Sequence, residues 1–314
     1  MKIQNTKFLL KLCFFLFFVI TQNQFLFSQK NELDYQAEMR FSKHLMHQKL
    51  NKEAIFVLKN LEKQKANFTF QQQDSIYYFL GFNHYNLKQL QTSANYFTKV
   101  SEQATMYEAA FFFAAYNHTY LEKYDSSKYF LQQFHFADST LYQELKAFEL
   151  SGIALLERDF EAFEQLQNTY SFQYYQLKKQ KESLQKAYRS LQAQKQKSPA
   201  VAAVLSAVVP GLGRVYAGKA KQGIASFLPI ALLALQTQEN VRKRGWKNPF
   251  TIFYSGLFTV FYVGNIWGSA FSVKIKKDEF NQAVNRQILL DLQVPLRTIF
   301  NCLLYTSPSP RDIG

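Results

Sequence analysis

No proline occurs before Pro199, and between residues 29 and 198 the only glycines are Gly81 and Gly152. Proline and glycine are the residues that most disfavour a helix interior. A stretch this long without them, rich in Leu, Phe, Tyr, Gln, Lys and Glu at helical spacing, has little to fold into except helices. The pattern changes at Pro199–Gly223, where glycine-punctuated apolar sequence takes over. The chain therefore divides into a helical part that can bind and a part that can anchor.

Within the helical part the sequence resembles itself at a shift of 34 residues: Tyr77, Leu80, Gly81, Leu90, Ser93 and Phe97 fall on Phe111, Ala114, Ala115, Tyr124, Ser127 and Leu131. Gly81 and Ala115 stand where two helices must approach closely, Ser93 and Ser127 supply a second small position, and large apolar residues fill the gaps. That period and order resemble the tetratricopeptide repeat. An earlier unit fits around Phe41, Ser42, Ala54 and Leu58, and a looser one around Leu150, Ser151, Phe160 and Phe163. No unit carries the repeat's terminal proline. A single helix pair cannot bury its own apolar face, so several units must stack. The expected fold is all-α: a tetratricopeptide-like α-solenoid, then a long basic helix, then a helical membrane hairpin. By the resemblance, the groove of the stack is lined by Tyr78, Phe82, Tyr85, Phe112, Tyr116 and Tyr120, an aromatic surface suited to a protein partner or an extended peptide. The alternative is that these rings pack against neighbouring helices or against helix 172–196.

Charge is distributed unevenly over the 314 residues. Residues 1–29 carry +3, residues 30–172 carry −3, residues 173–249 carry +12 and the remainder +2, which sums to the formal +14. Basic residues thus flank the apolar segments, a placement that fits anionic lipid rather than nucleic acid, for which no binding motif is present. Residues 170–198 read as one amphipathic helix with Leu177, Leu184, Tyr188 and Leu191 on its seam and Lys178, Lys179, Lys181, Lys186, Arg189, Lys195 and Lys197 around the rest. Ser198-Pro199 ends it.

Three apolar segments follow, at 199–210, 223–235 and 250–273. Only the third reaches the roughly 20 residues needed to cross hydrocarbon. Pro210, Gly211, Gly213 and Gly218 mark a turn between the first two, and Tyr216 and Trp246 suit a membrane interface. The run from Pro210 to Lys219, followed by Gly223-Ile224, resembles small bacterial membrane domains built as helical hairpins around a Pro-Gly-x-Gly-x-x-Tyr-x-Gly turn. Arg214, Lys219 and Lys221 are candidates for lipid-phosphate contact. Gly213 to Lys219 also matches the glycine-to-lysine frame of a phosphate-binding loop, but Ala220 replaces the magnesium-holding hydroxyl and no strand precedes it. Residues 274–301 read as a polar tail interrupted by Pro295.

Residues 1–28 read as a signal peptide: lysines precede an apolar run, Phe8 to Ile20, too short for a confident span. Residues 302–314 resemble the translated adaptor of transposon-based sequencing libraries. Outside these ends there is no cysteine. His84 and His118 recur at the repeat shift, and His44 and His47 share a helical face, yet no carboxylate recurs beside them and no metal is expected. Neither a cofactor nor a catalytic constellation is expected. The reading is a non-enzymatic repeat adaptor in a bacterial envelope, with residues 29–169 in the periplasm and residues 199–273 in the inner membrane. Its rival is a subunit of a transport or insertion complex in which the glycine-rich hairpin is the working part, a role that Asn265 inside the best span would suit.

Overall fold

The computed structural model describes residues 35–133, 140–170 and 174–300, so the expected signal peptide and adaptor-like end lie outside the described residues. Among those residues the chain is helical and forms no strand. It divides into two compact units. The first holds residues 35–181 and 291–300, and the second is Glu182–Leu290.

Unit 1 runs through α1 (residues 35–47), α2 (Asn51–Lys63), α3 (Phe70–Asn86), α4 (Leu90–Phe97), α5 (Tyr107–Tyr120), α6 (Tyr124–Gln133), α7 (Thr140–Glu157) and α8 (Phe160–Gln167). From α2 onward each helix packs on the next. Local chemistry sets several boundaries. Thr69 and Gln72 form a reciprocal capping box at the start of α3, and the Asp159 carboxylate accepts from the Ala162 N–H at 3.0 Å to start α8. The self-similarity of the sequence reappears as geometry. The Ser93 hydroxyl donates to the Gly81 carbonyl at 2.7 Å, and 34 residues on the Ser127 hydroxyl donates to the Ala115 carbonyl at 2.8 Å. A Cβ on Gly81 would lie 2.7 Å from the Phe97 ring, so α3 and α4 approach as closely as a missing side chain allows.

The turns repeat too. Lys49, Lys88, Glu122 and Arg158 each hold a left-handed backbone, with φ of 60°, 61°, 59° and 65°. After each of them the next N–H reaches back five residues: Leu50 to the Leu45 carbonyl, Gln89 to His84, Lys123 to His118 and Asp159 to Ala154. This is the Schellman closure of a helix C-terminus, usually made with glycine. After α4 no proline stands in the turn. Instead the Asp74 carboxylate accepts from the Ser101 N–H at 2.9 Å and the Ser101 hydroxyl at 2.5 Å.

The basic helix is shorter than expected: α9 spans Tyr175–Gln192, and residues 193–198 leave the helix before Pro199. Lys181, grouped above with the solvated lysines, is buried. Its ammonium pairs with the Glu144 carboxylate and lies 4.3 Å from the Tyr170 ring centroid. Burial pushes the Lys181 amine down to about 8. The reason is positional, because Lys181 stands four residues after Leu177 and three before Leu184, on the apolar seam itself.

Unit 2 contains the rest of α9, then α10 (Pro199–Val208), α11 (Leu212–Tyr216), α12 (Ala220–Arg244) and most of α13 (Pro249–Phe300). Ser198 caps α10 by accepting from the Val201 N–H, and Pro199 takes the first helical position, where its missing N–H costs nothing. One helix among the described residues, Pro249–Phe300, is long and apolar enough to span a membrane. The expected break at Pro295 is absent, for α13 continues through it to Phe300.

Candidate functional site

The aromatic residues proposed to line a groove come from α3 and α5. Tyr78, Phe82, Tyr85, Phe112 and Tyr116 are buried, and only Tyr120, at 44% exposure, faces solvent. Phe82 and Tyr85 both meet the Phe113 ring, and Tyr85 meets Tyr116, so α3 and α5 present one continuous aromatic face. Helix α7 extends it with Tyr142, Glu149 and Gly152.

What covers this face is another stretch of the same chain, Asp291–Phe300 of α13. The Phe300 ring stacks on Phe112 at 5.8 Å and on Tyr142 at 5.8 Å. Leu292 lies on Gly152, where a Cβ would fall 2.4 Å from its methyl carbon. The Gln293 amide donates to the Tyr85 hydroxyl, and the Arg297 guanidinium sits 5.9 Å from the Tyr85 ring centroid and reaches Asn86. Leu292, Leu296 and Phe300 are spaced by four residues, share a helical face and are essentially fully buried. One segment therefore bridges α3, α5 and α7. The sequence reading missed it, because Asp291, Arg297 and Pro295 dominate the stretch. The fourfold spacing of Leu292, Leu296 and Phe300 was the signal that could have found it.

Three residues before Gly152 on α7, Glu149 has 0% exposure and no hydrogen-bond partner for either carboxylate oxygen among the described residues. Burial raises its carboxyl well above the ordinary carboxylate range. Tyr85 and Tyr116 titrate above the ordinary phenol value, chiefly through burial, with Glu149 adding to the rise and Arg297 opposing it. Burial likewise lifts Tyr170, whose hydroxyl is paired with Ser151.

No protein-family model, curated protein or solved structure matches this chain. Its functional reading rests on its own geometry.

The repeated histidines pack against aromatic rings. His84 stacks on Tyr96 at 5.4 Å and bonds Gln89 at 2.6 Å, and His118 stacks on Phe130 at 5.4 Å. Burial lowers the titration of both. His44 and His47 are exposed on α1, and no cluster of metal-ligating side chains occurs among the described residues.

In unit 2 the predicted turn is a set of close backbone approaches. Gly211 has φ +85°, and a Cβ there would fall 2.2 Å from the Gly223 carbonyl oxygen. A Cβ on Gly213 would fall 1.9 Å from the Ala202 carbonyl oxygen. Pro210 sits just before this contact, and Gly218, at φ +87°, closes α11 by the same Schellman bond seen in unit 1. The Gly213 N–H donates to the Ser206 hydroxyl at 2.9 Å, Ser206 donates to Ser269 at 2.6 Å, and Ser269 donates to the Asn265 carbonyl at 2.8 Å. This hydrogen-bonded line ties α10, α11 and α13 together. Of the proposed lipid-phosphate contacts, Arg214 rests against Gly268, Lys219 pairs with Glu279 at 2.8 Å, and Lys221 is exposed. Tyr216 packs with Ala202, Ala217 and Val273, while Trp246 is exposed.

Proposed function

We propose that this protein is a non-enzymatic, membrane-anchored adaptor. Unit 1 is a stack of tetratricopeptide-like helix pairs whose aromatic face binds a protein or peptide partner, and unit 2 holds the chain in the inner membrane of a bacterial envelope with unit 1 in the periplasm. The observation that carries the repeat reading is the recurrence, 34 residues apart, of the same serine-to-backbone bond and the same left-handed turn. The membrane reading is supported by surface chemistry: Val204, Val208, Leu228, Leu232, Val260 and Trp267 are all exposed, while Ser206, Asn265 and Ser269 are buried. Apolar outside and polar inside is the arrangement lipid favours. Lys221, with Arg214 and Lys219 beside it in sequence, supplies the cationic contact to lipid phosphate.

The test is site-specific photo-cross-linking in the native membrane, with a reactive residue at Tyr120 on the rim of the aromatic face. A discrete partner cross-linked from position 120 that disappears when Tyr116 is changed to alanine supports the adaptor. Cross-links only from positions in residues 199–273 overturn it. Reporter fusions at Lys195, Lys243 and Lys277 read the topology, and a cytoplasmic report from Lys195 removes the periplasmic assignment.

One observation favours a second reading. The Asn265 side-chain oxygen is buried without a hydrogen-bond partner among the described residues, inside the helix best able to span a membrane. Such a group suits a path for a polar solute in a transport or insertion complex. Asn265→Leu that abolishes function while leaving assembly intact would favour that reading over the adaptor.

A further inference from the structure

Several features argue that the covering segment Asp291–Phe300 behaves as a bound ligand of unit 1 rather than as part of its core. It contacts three helices that lie more than a hundred residues earlier in the sequence. Its sequence is a poor helix by itself: Pro295 lacks the N–H that would bond the Asp291 carbonyl, and Val294, Thr298 and Ile299 are β-branched. The helix at these positions continues from α13, and the face it lies on adds the contacts that its own sequence lacks. Its contacts follow the grammar of a helix laid in a groove, with large apolar anchors at i, i+4 and i+8 and polar groups at the edges. The receiving face is preformed by α3, α5 and α7, and it contains a polar group that the segment leaves without a bond, Glu149.

We propose that the face of α3, α5 and α7 is a helix-binding site, that Asp291–Phe300 is its resident intramolecular occupant, and that the partner it accepts is an amphipathic helix with the same anchor pattern. Such a helix carries Leu, Ile or Phe at i, i+4 and i+8, and a cation near i+5 where Arg297 now stands over Tyr85. The cation is favoured because the electron-rich face of the Tyr85 ring, over which Arg297 lies at 5.9 Å, attracts positive charge. Partner and segment compete for one surface, so binding requires the segment to leave. This inference rests on the adaptor reading and names the class of partner for it.

The experiment uses the full chain in detergent micelles, with a fluorescein-labelled synthetic peptide reproducing residues 289–300 as the probe. The wild type is compared with the double variant Leu292→Asp, Leu296→Asp, which removes the resident anchors. The released variant is expected to bind the peptide at least about tenfold more tightly than the wild type, a difference of about 1.4 kcal/mol. A peptide carrying Leu296→Asp should bind neither protein. Hydrogen exchange on the released variant should show faster exchange at residues 291–300 and retained protection in α3, α5 and α7.

Two results overturn the proposal. One is a released variant that keeps that protection but does not bind the peptide. The other is loss of protection throughout unit 1, which makes the segment a structural part of the fold; the milder Gln293→Ala, Arg297→Ala variant must show the same loss for that conclusion. Peptide exchange between copies of the chain, seen as a dimer that the free peptide dissolves, supports the site. Tight peptide binding together with unchanged partner cross-linking in the Tyr116 variant removes the adaptor reading and leaves the helix site standing. Lost cross-linking without peptide binding does the reverse.

Discussion

In unit 1 the close approaches between helices are glycine against side chain, Gly81 on the Phe97 ring and Gly152 on Leu292, and much of the interior around them is aromatic. In unit 2 the tightest approaches are glycine backbone against backbone, Gly211 on Gly223 and Gly213 on Ala202, and the interior includes a hydrogen-bonded line of serine and asparagine. A ring can tilt by a few tenths of an ångström, whereas a carbonyl fixed in a helix cannot. The two units therefore differ in how much a single added methyl disturbs them. They differ also in which surface they show outward: unit 1 buries most of its aromatic side chains, and unit 2 exposes many of its large apolar ones.

The sharpest way to break that contrast is to add the same methyl to both. Gly213→Ala is expected to cost on the order of 4 kcal/mol or more, because the clash at 1.9 Å is with backbone and removes the room for the Ser206 bond as well. Gly81→Ala is expected to cost about 1–3 kcal/mol, the usual range for overpacking that side-chain movement can relieve. Thermal unfolding in micelles, with limited proteolysis to report which unit is lost, checks both. Equal sensitivity at the two glycines would end the argument that unit 2 is held by backbone approach.

The same contrast explains what could be read in the sequence. The repeat was legible because its small residues do their packing locally. Gly81, Ala115, Ser93 and Ser127 recur at a fixed shift, and they meet partners twelve residues away. The hairpin turn was legible for a similar reason, since glycines needed for close approach leave a visible spacing. The cover over the aromatic face was not, because it joins residues about two hundred positions apart. A sequence read in windows reports Asp291, Arg297 and Pro295 as a polar tail before it reports an apolar face. Glu144 and Lys181 were hidden in the same way, 37 residues apart and each unremarkable by itself.

A smaller difference separates the buried polar groups of the two units. Glu149 in unit 1 can change its charge, and Asn265 in unit 2 cannot. With its folded-state pKa raised, Glu149 keeps a proton that the unfolded chain releases, so stability declines as pH rises from about 4.3, the unfolded value, through the raised folded value. The groups that face it are Tyr85, Tyr116 and Tyr170, all of which stay protonated across that window. Glu149→Gln is expected to remove a slope of up to about 1.4 kcal/mol per pH unit and to leave unit 1 more stable at neutral pH. Urea unfolding followed from pH 5 to pH 8 measures it. An unchanged slope in the variant would show that Glu149 is not the group that loses its proton.

The mildest expected effect tests the turns. Unit 1 closes its helices with Lys49, Lys88, Glu122 and Arg158 in the left-handed region, whereas the matching closure after α11 in unit 2 uses Gly218. A side chain with a Cβ is strained there by about 1–2 kcal/mol, and glycine is not, but glycine gives back part of that gain through the greater freedom of its unfolded chain. Lys88→Gly and Glu122→Gly are each expected to stabilise unit 1 by about 0.5–1 kcal/mol, and Gly218→Ala to destabilise unit 2 by a similar amount. Lys88 also lies over the Tyr85 ring at 5.8 Å, so Glu122→Gly, with no ring contact of that kind, should give the cleaner gain. If Lys88→Gly is neutral while Glu122→Gly stabilises, the difference measures what the lysine contributes on Tyr85. If both destabilise, the left-handed turns are held by side-chain contacts rather than tolerated despite their strain.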